Sequence, residues 1–198
     1  MHQPFILIVS GPSGVGKTTL CKKVMQLDGN LFYSVSATTR PRREGEVHGK
    51  DYHFLSVEEF EDWIERGKLL EWAKVYDNYY GTPLDPVIEN FNRGRDVLMD
   101  IDVQGKRQIE RNFRGRVVTV FVLPPSVDEL LERLEQRGAE TPEQFEKRKR
   151  LIMRDLQYRW EYDYWLINDD LDKAVGELYS IIKAERLKGR YMKWQERK

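Results

Sequence analysis

A single cysteine, Cys21, is present among 198 residues, so no disulfide can form within the chain. That scarcity fits a reducing compartment, and a cytoplasmic protein is expected. The thiol itself reads as a small core residue on a helix. An excess of charge of either sign is missing as well. Lys plus Arg and Asp plus Glu number 33 each, so no overall field draws the chain to nucleic acid or to an anionic membrane, and neither is expected as a partner. Any anion site has to be built locally. Nowhere do 18 apolar residues follow one another, which leaves no membrane-spanning helix to expect. The first ten residues lack a basic lead and a small-residue cleavage site, so they read as structure and not as a secretory leader. Repeats and low-complexity tracts are not found. With 40% apolar residues, the chain can bury the core of one compact domain.

What is there alternates between two patterns. Residues 5–10, 97–101, 117–123 and 164–167 are apolar runs, the mark of strands buried on both faces of a parallel sheet. Helices are expected between them. Residues 17–27 predict the first and 170 or 171 to 187 the last. Ser126 with Glu129 makes a capping box ahead of Leu130, Leu131 and Leu134, and Thr141 with Pro142 and Gln144 starts another helix. The stretch 36–82 breaks this rhythm. It is rich in Arg, Gly, Tyr and Glu, offers only short strands, and carries one helix, 57–66, capped by Ser56 with Glu59. It predicts an inserted lobe of mixed strands, and the irregular piece 136–141 predicts a lid.

The strongest chemical signal is Gly11-Pro12-Ser13-Gly14-Val15-Gly16-Lys17-Thr18. It has the spacing G-x-x-x-x-G-K-[ST] and lies between an expected strand and an expected helix, the context such a phosphate loop needs. Glycines let backbone N–H groups turn inward around a phosphate, and the helix N-terminus adds partial positive charge. Lys17 would reach the β- and γ-phosphates, and the Thr18 hydroxyl is placed for Mg²⁺; Thr19 completes the candidate ATP site. In the inserted stretch, Arg40-Pro41-Arg42-Arg43 packs three arginines into four positions, followed by Glu44-Gly45-Glu46. Arginine suits bidentate phosphate contacts. Tyr52, Tyr79 and Tyr80 add phenolic hydroxyls.

At this point the chain resembles guanylate kinase, a nucleoside monophosphate kinase family. Six ordered segments carry the resemblance: the phosphate loop, residues 36–52, Leu70-Glu71-Trp72, residues 78–82, Leu98-Met99-Asp100-Ile101-Asp102-Val103-Gln104-Gly105, and Ile167-Asn168-Asp169-Asp170. It spans roughly residues 5–187. The implied fold is α/β: a P-loop NTPase-type parallel sheet flanked by helices, with a mixed GMP-binding lobe at about 36–82, a lid at about 136–149, and a core at about 1–35, 83–135 and 150–187. The implied reaction is transfer of the γ-phosphoryl group of ATP to GMP or dGMP with Mg²⁺ as cofactor.

The resemblance also implies roles. Arg40, Arg43, Tyr52 and Tyr80 would hold the GMP phosphate, with Glu46 in the same loop. Ser36, Glu71, Thr82 and Asp100 would read guanine, which offers N1–H and N2–H₂ to a carboxylate and O6 to a hydroxyl. Arg43, Arg137 and Arg148 would stabilise the transferring group, beside Lys17. Arg133, four residues from Arg137 on one helix face, would assist on the ATP side, and Asn168 with Asp169 would meet adenine. Asp102 is left between base reading and Mg²⁺. The basic stretch 188–198 lies outside the resemblance and reads as a solvated helix extension. Two rivals stand: a catalytically silent binding module of related fold, opposed by the intact Lys17 and Thr18, and a kinase for a different acceptor, opposed by Glu71 with Ser36 and Thr82. A homo-oligomer remains compatible with the sequence.

Overall fold

The apolar run Ile6-Leu7-Ile8-Val9 is buried on both faces, as a central parallel strand must be. In the computed structural model, which describes residues 2–75, 77–135 and 142–192, this run forms β1 (Ile6–Ser10). It sits in the middle of five parallel strands. On one side lie β7 (Asp96–Asp100) and then β2 (Leu31–Tyr33). On the other lie β8 (Val117–Leu123) and β9 (Tyr164–Ile167). Alternation along β1 divides the core in two. Phe5, Leu7 and Val9 pack with Leu20 and Val24 of α1 (Lys17–Leu27) and with Leu178 and Ile182 of α7 (Leu171–Leu187). Ile6 and Ile8 pack the opposite way, with Val87 of α3 (Leu84–Asn92) and Ile109 of α4 (Val103–Asn112). The parallel register sends the loops after β1, β7, β8 and β9 to one edge of the sheet, where ligands of this architecture bind.

Between β2 and α3 the chain builds a second, four-stranded sheet of mixed direction. Its order is β4 (His53–Phe54), β3 (Ala37–Thr38), β6 (Asn78–Pro83) and β5 (Leu69–Val75). The helix α2 (Val57–Glu65) covers it. Ser56 and Glu59 form the reciprocal capping box that the sequence signalled, and the buried Phe60 ring stacks on Tyr79 at 5.2 Å. The remaining helices, α5 (Val127–Glu135) and α6 (Pro142–Gln157), flank the expected lid. Ser126 accepts from the Glu129 N–H at 3.1 Å at the start of α5. Thr141 and the piece 136–141 lie outside the described residues.

One expectation is corrected. Residues 188–192 do not extend the helix, and 193–198 lie outside the described residues. Lys188 turns to an extended conformation, Gly189–Tyr191 forms a short 3₁₀ turn, and Met192 bridges antiparallel to His2. Tyr191 is fully buried and stacks on Phe5 at 5.4 Å. Burial of one large aromatic side chain contributes about 2 kcal/mol, more than another exposed helical turn would.

Candidate active site

The loop between β1 and α1 has the conformation its glycines prescribe. Gly16 starts α1 at φ 96, a left-handed backbone that costs other residues strain, and no side chain caps the helix. The first N–H groups of α1 are thus left for a ligand. Lys17 arches back over the loop, its Nζ donating to the carbonyls of Gly11 at 2.9 Å and Pro12 at 3.2 Å. Thr18 Oγ1 donates to Asp100 Oδ2 at 2.8 Å. A hydroxyl and a carboxylate side by side next to Lys17 make an oxygen pair suited to a hard divalent cation. Cys21, one turn on, is buried in the core as its sequence context implied.

A cavity of about 310 Å³ opens above this loop. Residues 13, 14 and 16–19 form one wall. Arg40, Arg43, Glu46, Tyr52 and Tyr80 form the other, and Asp100 closes the floor. The arginine loop is stiffened from within. Glu46 Oε1 pairs with Arg40 Nη2 at 2.7 Å while its Oε2 accepts from the Arg43 N–H at 2.8 Å. Glu46 therefore acts as the tie of the loop. The Arg40 guanidinium lies 5.4 Å from the Tyr52 ring centre, and Tyr52 meets Tyr80 edge to face at 6.1 Å. Lys22 of α1 reaches across to Asp51 at 2.5 Å, which joins the two sheets beside the cavity.

Lys17, Tyr52, Tyr80 and Asp100 also line a second cavity of about 190 Å³, so the two adjoin. Ser36, Glu71 and Gly81 lie in its wall. Glu71 is 4% exposed. It faces Thr82 across the β5–β6 ladder, and the Thr82 hydroxyl donates to its Oε1 at 2.6 Å. Thr82 is fully buried behind the carboxylate. Its hydroxyl proton is directed there, so Thr82 orients Glu71 in this structure. Burial pushes the Glu71 carboxyl up to about 7; the Thr82 hydroxyl opposes that rise and the nearby Asp102 charge adds to it.

Asp102 differs from Asp100 in its contacts. Its Oδ1 caps α4 by accepting from the N–H groups of Gln104 at 3.0 Å and Gly105 at 2.9 Å. Asn168 also serves the loop: its Nδ2 donates to the Val15 carbonyl at 2.7 Å, and a side chain at Gly16 would collide with it. Asp169 is exposed, bonding the Asp170 N–H at 2.8 Å and Lys173 at 3.3 Å. A third cavity of about 500 Å³ adjoins the second through Gly11, Val75, Asp102 and Asp155 and brings in Arg107, Tyr158 and Tyr162. None of Asp155, Arg107 or Tyr162 was singled out from the sequence, because each lies on a charged or aromatic helical stretch without a motif. Burial raises the Asp155 carboxyl above its ordinary range. Arg137 lies outside the described residues, as do the side chains of Arg133 and Arg148.

Comparisons with known proteins agree with this geometry. The family model for guanylate kinase matches residues 3–185. A guanylate kinase of Carboxydothermus hydrogenoformans is 45% identical over 195 residues, covering 95% of this chain and 92% of the relative. One from Paramagnetospirillum magneticum is 49% identical, covering 92% and 86%. Among solved structures, the crystal structure of guanylate kinase from Anaplasma phagocytophilum superposes with a TM-score of 0.83 at 32% identity, covering 96% of this chain and 90% of that one.

Proposed function

This chain belongs to the guanylate kinase family and phosphorylates GMP with ATP, and we propose that the two adjoining cavities are the ground on which it does so. The observation that carries this reading is the wall the two cavities share. A phosphate loop on one side and a buried carboxylate on the other meet at Lys17, Tyr52, Tyr80 and Asp100. A purine monophosphate with its phosphate at Arg40, Arg43, Tyr52 and Tyr80 directs its base to Glu71 and Ser36. Its phosphate oxygen then faces the loop that cradles ATP.

In that arrangement an oxygen of the GMP phosphate attacks the γ-phosphorus of ATP in line. One P–O bond forms, the bond to the β-phosphate oxygen breaks, and ADP leaves; no protein nucleophile takes part. The chain's work is positioning and charge. Lys17 leaves its carbonyl partners for the β/γ-phosphate oxygens, and the open N–H groups of α1 hold the same phosphates. The Thr18 and Asp100 oxygens fit a Mg²⁺ ion, which when bound neutralises charge on the phosphate oxygens. Arg43, Arg137 and Arg148 are assigned to stabilise charge on the transferring group. Residues 36–82 act as the acceptor lobe and 136–149 as the lid, and their closure excludes water. Among the described residues no helix is long and apolar enough to cross a membrane.

A panel of acceptors in a coupled ADP-release assay tests the proposal. GMP should be used best, IMP less well, and AMP and CMP hardly at all. AMP or CMP as the preferred acceptor would overturn the assignment of the base cavity.

A further inference from the structure

Gly105 occupies the first turn of α4, where the helix passes behind Glu71. It is not among the glycines with positive φ. An ordinary helical backbone suits alanine better than glycine, so conformational freedom is not what this position needs. Space is. A Cβ built on Gly105 would fall 2.8 Å from the Glu71 carboxyl carbon and closer still to Oε2, with Ile101 Cδ1 at 3.4 Å on its other flank.

We propose that Gly105 is a specificity-determining residue: its bare Cα leaves the room in which the Glu71 carboxylate stands to read the base. The inference rests on the reading of Glu71 as the group that accepts from guanine. The carboxylate is held from two directions, by the Thr82 hydroxyl on Oε1 and by the backbone of α4 against Oε2. Hydrogen bonds oppose a retreat of the helix to admit a methyl group. Its first turn is fastened by the Asp102 cap. One turn later Gln108 Nε2 donates to the carbonyl of Trp72 at 2.7 Å and its Oε1 accepts from the Trp72 N–H at 3.4 Å, directly beside Glu71 in β5. Any added side chain is therefore accommodated by the far end of Glu71, the one movable atom group in the contact. That movement takes the carboxylate off Thr82 and out of register with N1–H and N2–H₂ of guanine.

The decisive variant is Gly105→Ala, which favours the helix and isolates the effect on the base. The protein should stay folded, with the helix gain from alanine offsetting much of the cost of moving Glu71 off Thr82. Its kcat/KM for GMP should fall by about 100-fold, that for AMP should change little, and KM for ATP should hold. Glu71→Asp alone should impair GMP use, but placed on the Gly105→Ala background it should recover part of the loss, because the shorter side chain withdraws from the methyl group. A wild-type GMP/AMP ratio in Gly105→Ala would overturn the inference. So would an equal loss with both acceptors accompanied by a lowered melting temperature. Glu71→Gln separates the two layers. If it keeps the wild-type ratio, the guanine reading fails and this inference with it; if it loses the ratio while Gly105→Ala keeps it, only the role of Gly105 fails.

Discussion

Glu71 is a carboxyl group kept almost out of water, and its titration follows from that. Its proton affinity in the fold, raised to about 7, exceeds the ordinary carboxyl value in the unfolded chain. Between the two values the folded state holds more protons, so burial of Glu71 makes stability fall as pH rises from about 4.5 to 7. Guanine binding asks for the ionised form, since only that form accepts from both N1–H and N2–H₂. We expect KM for GMP to fall as pH rises from 6 to 8. The GMP phosphate also titrates near 6, so Glu71→Gln is the control: its KM should keep only the phosphate component. A wild-type profile that superposes on that of the variant would show that Glu71 is not titrating against the ligand. The residue types at the site were legible because they fall in short runs: Arg40 to Arg43, Tyr52, Glu71 and Tyr80 each stand in a local motif. What those motifs could not give is the partner of each group. The proton of Thr82 goes to Glu71, Asp102 caps α4, and the Asn168 amide holds the Val15 carbonyl. The first and the last depend on how distant segments are brought together, a property of the assembled sheets, while the Asp102 cap is local to the start of α4.

Elements were legible in proportion to the length of their pattern. β1, β8 and α1 coincide within a residue with runs of apolar or periodic sequence. β2 has three residues and no run to announce it. The stretch after α7 misled because its charges suggest solvent, whereas one tyrosine decides its path. Tyr191 fills a place against Phe5, and the backbone follows it into a bridge with His2. Tyr191→Ala should therefore cost about 3 kcal/mol in denaturant unfolding, the scale of losing a buried aromatic ring. The active site lies at the opposite edge of the sheet, so kcat/KM at low temperature should stay near wild type. An unchanged unfolding midpoint would mean that the ring is not part of the core in solution.

Taken as a whole, the molecule is neutral and still binds two polyanions, because its positive groups are gathered on facing elements. The loop and α1 supply Lys17 and free N–H groups, and the loop between β3 and β4 supplies Arg40 and Arg43. We assign Arg133, Arg137 and Arg148 to the same phosphates. Arg137→Ala and Arg148→Ala should each lower kcat by about 10³-fold, the scale of an arginine that stabilises a transferring phosphoryl group, with KM for GMP little changed. Near-wild-type turnover at saturating substrates would remove that residue from the site, and a large loss in Arg150→Ala instead would shift the register of the lid helix.

The account as a whole turns on one cavity being built for guanine and joined to a phosphate loop. The most direct measurement is kcat/KM for GMP and AMP on the wild type and on Glu71→Gln. An uncharged amide offers guanine one acceptor oxygen in place of two and no longer repels the N1 acceptor of adenine. The ratio of GMP to AMP use should therefore collapse from a wild-type value of as much as about 10⁴, chiefly through loss of GMP use, without AMP becoming a good substrate. A variant that keeps the wild-type ratio would contradict the account, since the buried carboxylate would then have no part in choosing the base.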